Sequence, residues 1–227
     1  MTQTTCPSFI DLAAFAQTAP RSGTPITLPL RSAPVVVQAA ALEGHGETQT
    51  LAGDTFLIVA QGTITLNDQP LAKGQAIVLS GAQTYRWTAS APARIITMRY
   101  TGGTSTSTGT GLTRVDPTTP RAPSGAPLAE LLIGPTPQCH NHTQFLSSDG
   151  EYMVGVWDSS PYHRRAMAYR HFELMYLLKG SVTFIDELGH QATFREGDLF
   201  LVEQHAQCSW ESREDVTKIF AIYRPAA

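Results

Sequence analysis

The sequence predicts an all-β fold built by tandem duplication of one strand-rich unit, with a short helix near the N-terminus. Two observations carry the prediction. Short runs of β-branched and aromatic residues recur at close intervals, punctuated by Gly, Asp, Glu and Pro, which is the pattern of short antiparallel strands. The chain can also be written twice in one register. Gly62, Gly74, Trp87 and Tyr100 are separated by 11, 12 and 12 residues, and Gly180, Gly197, Trp210 and Tyr223 by 16, 12 and 12. The unequal interval falls where Asp186–His190 answers Asn67-Asp68, a hairpin turn in which length changes are tolerated. The local text agrees: FLIVAQGTITL at 56–66 answers LMYLLKGSVTF at 174–184.

In chain order, Pro7–Ala16 reads as the short helix, with Ser8 as its N-cap. Strands are expected at Val35–Val37, Thr55–Val59, Thr63–Leu66, Gln75–Leu79 and Ala93–Tyr100. A Gly/Ser/Thr tract then runs over Thr101–Gly111, followed by Pro117, Pro120, Pro123 and Pro127. Such a segment buries too little apolar surface to offset its ordering. It is expected as a linker over 105–127, between an N-terminal unit at 1–104 and a C-terminal unit at 128–227. The second unit repeats the strand pattern at Glu151–Trp157, Phe172–Leu178, Ser181–Ile185, Asp198–Val202 and Val216–Tyr223.

Composition removes several classes of function. The 227 residues hold 16 Lys+Arg and 19 Asp+Glu, a net charge of −3, with 42% hydrophobic and 15% charged residues. Nucleic acid is not an expected partner, because counterion release needs clustered basic residues. No apolar run approaches the roughly 18 residues of a spanning helix, so no membrane partner is expected either. The start lacks the basic and apolar regions of a secretory signal. The three cysteines, Cys6, Cys139 and Cys208, form no CxxC pair and no disulfide framework. A reducing cytoplasm is the expected compartment.

The second unit carries a resemblance. Glu173–Gly180, Gly197–Val202, Ser209–Glu211 and Lys218–Tyr223, preceded by Gly155-Val156-Trp157-Asp158, are similar to the third cupin family. That group includes ureidoglycine aminohydrolases and ethanolamine-utilisation cupins, all RmlC-like jelly rolls. The resemblance is strong over 150–225 and weaker over 35–100. It implies a bicupin: two jelly-roll (double-stranded β-helix) barrels, the first degenerate and the second better kept.

The family's usual metal site takes three His and one Glu. The resemblance places the Glu at Glu173, the last His at Cys208, and the first two His among Ala166–Tyr169, where none stands. In the first unit the matching positions are Thr55 and Tyr85. No cofactor is therefore expected, and the standard site is not retained. The alternative is one divalent transition metal in the C-terminal barrel, on His171, Glu173 and Cys208, ligand types that zinc, iron or nickel accept.

Lys218 interrupts its apolar strand on the same face as Phe220 and Ile222, which alternation turns inward. A buried Lys needs a carboxylate, so Lys218 is expected to meet Glu173 inside the second barrel. The expected ligand-binding residues are Glu173, Lys218, Cys208, Trp210, Met175 and His171, in a pocket within that barrel. Trp157 faces either core or pocket. Cys139–His142 holds an HxH in an expected exposed connection, and Tyr162–Arg165 is the densest positive charge in the chain. Three readings stay open: a small-molecule-binding bicupin, a metal-dependent hydrolase like the ureidoglycine aminohydrolases, and a structural bicupin without ligand. Whether the protein is an enzyme stays open with them. A homodimer is a further expectation, because the apolar face of Phe172, Leu174, Tyr176 and Leu178 needs cover from a second copy or from the other unit.

Overall fold

The computed structural model of the protein describes residues 8–31, 34–49, 53–82, 84–102 and 111–226. Cys6 and most of the Gly/Ser/Thr tract lie outside them. Strands dominate. In the first half, Val35–Gln49 and Thr84–Tyr100 pair antiparallel along their whole length, from Val35 opposite Tyr100 to Gln49 opposite Thr84. Their register breaks between Leu42 and Gly44, and such irregularities let one strand bend and serve both walls of a barrel. Asp54–Gln61 and Ala76–Ser80 extend this sheet. The hairpin Thr63–Leu66 and Gln69–Ala72 closes against Thr84–Tyr100. Asn67 and Asp68 hold positive φ angles of 41° and 64°, the backbone that a two-residue hairpin loop requires.

In the second half a seven-stranded sheet faces a four-stranded one. Tyr152–Ser159, Phe172–Lys179, Leu199–Val202 and Val216–Tyr223 belong to the first; Tyr162–Ala168, Ser181–Ile185, Gln191–Arg195 and Gln207–Ser212 make the second. Strand register matches the repeat read from the sequence. Thr55 stands opposite Leu79 as Glu173 stands opposite Val202, and Val35 opposite Tyr100 as Tyr152 opposite Tyr223.

The two halves are interlocked at their leading segments. Strand Phe9–Asp11, at the start of the chain, pairs with Leu199–Val202 of the second barrel, with Phe9 opposite Val202. Strand Leu112–Arg114, within the segment expected as a linker, pairs with Ala76–Ser80 of the first, with Leu112 opposite Leu79. These are equivalent contacts, exchanged between the halves. Farther on, Ala122–Ser124 pairs with Cys139–Leu146 of the second half. Residues 111–127 are therefore not a free connection, and the partition at 104 is crossed by strand pairing in both directions. The helix is likewise shorter and later than the sequence suggests. It spans Leu12–Gln17 and is capped by Asp11, whose Oδ1 accepts the Ala14 N–H at 2.8 Å. Residues 9–11 were drawn out of the helix because strand pairing satisfies their backbone groups instead.

A shared apolar layer joins the barrels. Val37, Phe56, Ile58, Ile96 and Met98 of the first half pack with Val154, Phe172, Leu174, Leu201 and Ala221 of the second. The outward face of Phe172, Leu174, Tyr176 and Leu178 is thus covered by the chain's own first half. At one end Tyr100 stacks on its repeat counterpart Tyr223 with ring centroids 5.4 Å apart, and on Tyr152 at 5.6 Å. The Tyr100 hydroxyl donates toward the Asp149 and Glu151 carboxylates at 2.9 and 2.8 Å, and the Tyr152 hydroxyl donates to the Met98 carbonyl at 2.8 Å. Arg31 adds a link at another point: its backbone N–H reaches Glu203 Oε1 at 3.3 Å. Burial pushes that carboxyl above its usual range despite the Arg31 charge.

Phe9 is buried in the second barrel's interior against Phe184 and Phe194, at centroid distances of 5.9 and 6.3 Å. Phe9→Ala should therefore destabilise the whole protein by about 3 kcal/mol, the usual scale for emptying a buried aromatic position. Urea unfolding is the measurement. A change under about 0.5 kcal/mol, the scale of an ordinary surface substitution, would show that the exchanged strand does not hold the barrel closed.

Candidate functional site

Inside the second barrel, Glu173 on Phe172–Lys179 and Lys218 on Val216–Tyr223 meet as alternation requires. Lys218 Nζ donates to Glu173 Oε1 at 2.8 Å, and both residues are buried, at 5% and 6% exposure. The ammonium also lies 3.2 Å from Met175 Sδ and 4.6 and 5.0 Å from the ring centroids of Trp157 and Trp210. Cation–π attraction and the carboxylate together replace the water the charge gave up. His171 Nε2 stands 3.2 Å from the other Glu173 oxygen. Burial alone pushes the Glu173 carboxyl up; the Lys218 charge and the His171 contact override it and hold the carboxyl well below the usual carboxylate range.

These residues do not fit a divalent metal. The ammonium of Lys218 occupies the carboxylate that would anchor one. Burial pushes the Cys208 thiol up to about 12. Among the described residues no three His, Cys, Asp or Glu side chains converge as a ligand set.

Nor do the expected ligand contacts surround open space. Met175, Cys208 and Trp210 are buried in one cluster with Phe184, Phe194 and Phe200. Trp210 packs edge-on against Trp157 and Phe184, and its ring stacks on Tyr162 at 5.5 Å. Trp157 faces this core. The pocket expected in the second barrel is therefore replaced by packed aromatic rings around one ion pair. Of the other candidates, Cys139–His142 lies on a strand rather than in a loop, with His140 Nδ1 2.8 Å from Asp158. Arg164 is buried, and its guanidinium lies over the Tyr169 ring at 5.3 Å and donates to that hydroxyl at 3.2 Å.

A cavity opens in the first barrel. A cavity of about 440 Å³ is lined by apolar Leu57, Ile64, Leu66, Leu79 and Ile95, together with polar Gln38, Thr55, Tyr85, Thr97 and Arg99. The repeat shows which exchanges contribute room, although Tyr85 in place of Cys208 takes some back. Ala40 stands opposite Ile95 where Trp157 stands opposite Lys218, and Thr97 opposite Leu57 where Phe220 stands opposite Met175. Thr55 replaces Glu173, and Leu66 replaces Phe184. Each exchange removes volume from the same enclosure.

Polar chemistry gathers at one row of this cavity. Thr55 and Arg99 are paired across adjacent strands, so their side chains leave one face side by side. Thr55 is 6% exposed and its hydroxyl has no hydrogen-bond partner among the described residues, an arrangement that costs free energy unless something fills it. The Tyr85 hydroxyl donates to the Gly111 carbonyl at 3.2 Å, and burial raises its pKa. Trp87 forms one wall, where it crosses Gly46 so closely that a Cβ there would meet the indole.

Antiparallel sheets wrapped into two register-matched barrels define a cupin-type jelly-roll protein. Within it, residues 146–220 match the EutQ-like cupin domain, which lies in the closed second barrel. A search of curated protein sequences gave no match. Among solved structures, the chain is similar to a DUF861-family protein of unknown function from Pseudomonas syringae pv. tomato, with 24% identity, a TM-score of 0.83, and coverage of 96% of this chain and 100% of that one. A cupin 2 conserved barrel domain protein from Leptotrichia buccalis aligns at 10% identity and TM-score 0.63 over 99% and 100% of the two chains. A variant of salicylate 1,2-dioxygenase from Pseudoaminobacter salicylatoxidans aligns at 12% and 0.58 over 98% and 85%. At these identities the likenesses establish the fold.

Breaking the buried pair from one side should be costly. Lys218→Met strands Glu173 and should destabilise the protein by ~3–5 kcal/mol, and adding Glu173→Gln should restore most of the loss. Because the folded carboxyl titrates below its ordinary 4.5, its stabilisation is complete above that pH and is lost as pH falls below it. The wild type should therefore lose stability on acidification more steeply than the double variant does. Urea titrations between neutral pH and pH 3 measure both; equal stability of single and double variants would refute the pairing.

Proposed function

We propose that this protein binds a small molecule inside its N-terminal barrel and that its C-terminal barrel is a closed scaffold. The cavity in the first barrel carries the reading. Its size falls in the range of small-molecule sites, and its lining is mostly apolar with a few convergent polar groups. Thr55, a buried hydroxyl with no partner among the described residues, faces that space. The hydrolase alternative needs a metal, and the donor set of the second barrel does not suit one. The purely structural alternative leaves the emptied barrel without a purpose, since the shared apolar layer could be kept with both barrels filled.

The repeat supplies the variants for the test. Ala40→Trp and Thr97→Phe place in the first barrel side chains of the kind that fill the second. The probe is 1-anilinonaphthalene-8-sulfonate, whose fluorescence rises in apolar sites. Saturable binding at one probe per chain is expected for the wild type and for the second-barrel control Cys208→Ser. Either filling variant should retain the wild-type circular dichroism and lose that binding by more than tenfold. Undiminished probe binding by both filling variants would overturn the assignment of the site.

A further inference from the structure

Resting on the cavity reading above, we infer that the ligand is an uncharged molecule of the alcohol or phenol class, its hydroxyl paired with Thr55 and its body against the apolar wall. Thr55 is 6% exposed, lines the cavity, and its hydroxyl has no hydrogen-bond partner among the described residues. Its setting is apolar. Leu57 and Val59 follow it on the inward side of its own strand, and Leu79 stands opposite it on the next. A hydroxyl so placed can donate one hydrogen bond and accept others, and leaving them all unmade costs free energy. A ligand hydroxyl meets it in either direction, because both groups rotate to suit.

Other polar groups of the lining are already used. Gln38 Nε2 donates to Thr27 Oγ1 at 3.0 Å, and the Tyr85 hydroxyl donates to the Gly111 carbonyl at 3.2 Å. The two charged members, Glu47 and Arg99, have partners within the chain: Glu47 lies 3.6 Å from Arg86, and Arg99 is engaged as well. Neither calls for an ionic ligand. A charge placed beside Thr55 would exchange its water for a single neutral hydroxyl, which does not repay desolvation. Burial already raises the pKa of Tyr85, the same penalty acting on a residue of this wall. Glu47 and Arg86 are exposed, so the cavity meets water beside them, and there a charged substituent such as the probe's sulfonate stays hydrated.

The second barrel shows what this enclosure needs in order to hold charge. There Glu173 and Lys218 meet at 2.8 Å, with the ammonium under two tryptophan rings. Register puts Thr55 and Ile95 at the matching positions of the first barrel, and both line the cavity. Neither is ionisable. The two places that hold an ion pair in one barrel thus offer a hydroxyl and an aliphatic side chain in the other. An alcohol complements that pair, with its hydroxyl on Thr55 and its hydrocarbon on Ile95.

Calorimetric titration at neutral pH with 2-phenylethanol, phenylacetate, 2-phenylethylamine and ethylbenzene tests this, because the four share a body and differ in the head. The alcohol should bind wild-type protein at least about tenfold tighter than either ion. Thr55→Val, a near-isosteric change, should weaken the alcohol about fivefold, the scale of one hydrogen bond, and leave ethylbenzene unchanged. Thr55→Ser, which keeps the hydroxyl, should retain the alcohol's affinity. Ala40→Trp should exclude all four. An ion that binds as tightly as the alcohol and is excluded by Ala40→Trp would overturn the uncharged class and leave the cavity reading standing. If Thr55→Val leaves the alcohol unchanged, or weakens ethylbenzene equally, the pairing with Thr55 is overturned. Binding of the anilinonaphthalene probe without the alcohol would overturn the inference alone, and binding of neither would overturn both readings.

Discussion

A barrel wall of fixed strand register encloses a fixed space, and whatever side chains point inward must either fill it or leave it. That constraint governs both halves of this protein. Register is the same in the two barrels at the rungs that matter, with Thr55 and Glu173 opposite Leu79 and Val202, and Ala40 and Trp157 opposite Ile95 and Lys218. The enclosures therefore compare position by position. Substituting Ala for Trp, Thr for Phe and Leu for Phe removes far more volume than a close-packed interior can absorb by relaxing. The result is about 440 Å³ of space in one half and a stack of aromatic rings in the other. Phe194 and Phe200, 3.9 Å apart, show how closely that stack is packed.

The shared layer lets one barrel be hollow. A barrel with an open interior has lost the contacts that usually hold its walls, and the walls need support from outside. Here Val37, Phe56, Ile58 and Met98 pack outward against the second barrel's sheet, so the wall that bears the Thr55 and Arg99 strands is backed by apolar contacts. The exchanged strands add a second constraint. Phe9–Asp11 and Leu112–Arg114 each extend the sheet of the other half, and neither barrel can open at that edge without unpairing a strand from its partner.

Much of the fold was legible because it depends on patterns that repeat. The equal intervals from Gly74 to Tyr100 and from Gly197 to Tyr223 mark the same bends and the same inward tryptophans in both units. Lys218 and Glu173 were legible for a related reason, since alternation turned both inward and a buried charge demands its opposite. The exchanged strands were not legible. Phe9–Asp11 and Leu112–Arg114 are three residues each, too short for periodicity, and pairing across halves depends on where the chain goes afterwards. Asp11 as the helix cap followed from that same pairing, so the local signal at Ser8 was overridden by tertiary structure.

The cavity was readable and was missed, and the reason is physical. Motif positions direct attention to the half that keeps them, but a kept motif filled with a Lys and aromatic rings marks a core. The informative signal was the volume difference between matched positions, Ala40 against Trp157 and Thr97 against Phe220. Where the second barrel has Glu173, Trp157 and Phe220, the first has Thr55, Ala40 and Thr97, and its cavity lies among them. The second barrel kept its anion, matched it with Lys218 and closed over the pair. One half is thus packed with aromatic rings behind the shared apolar layer, while the other encloses a cavity.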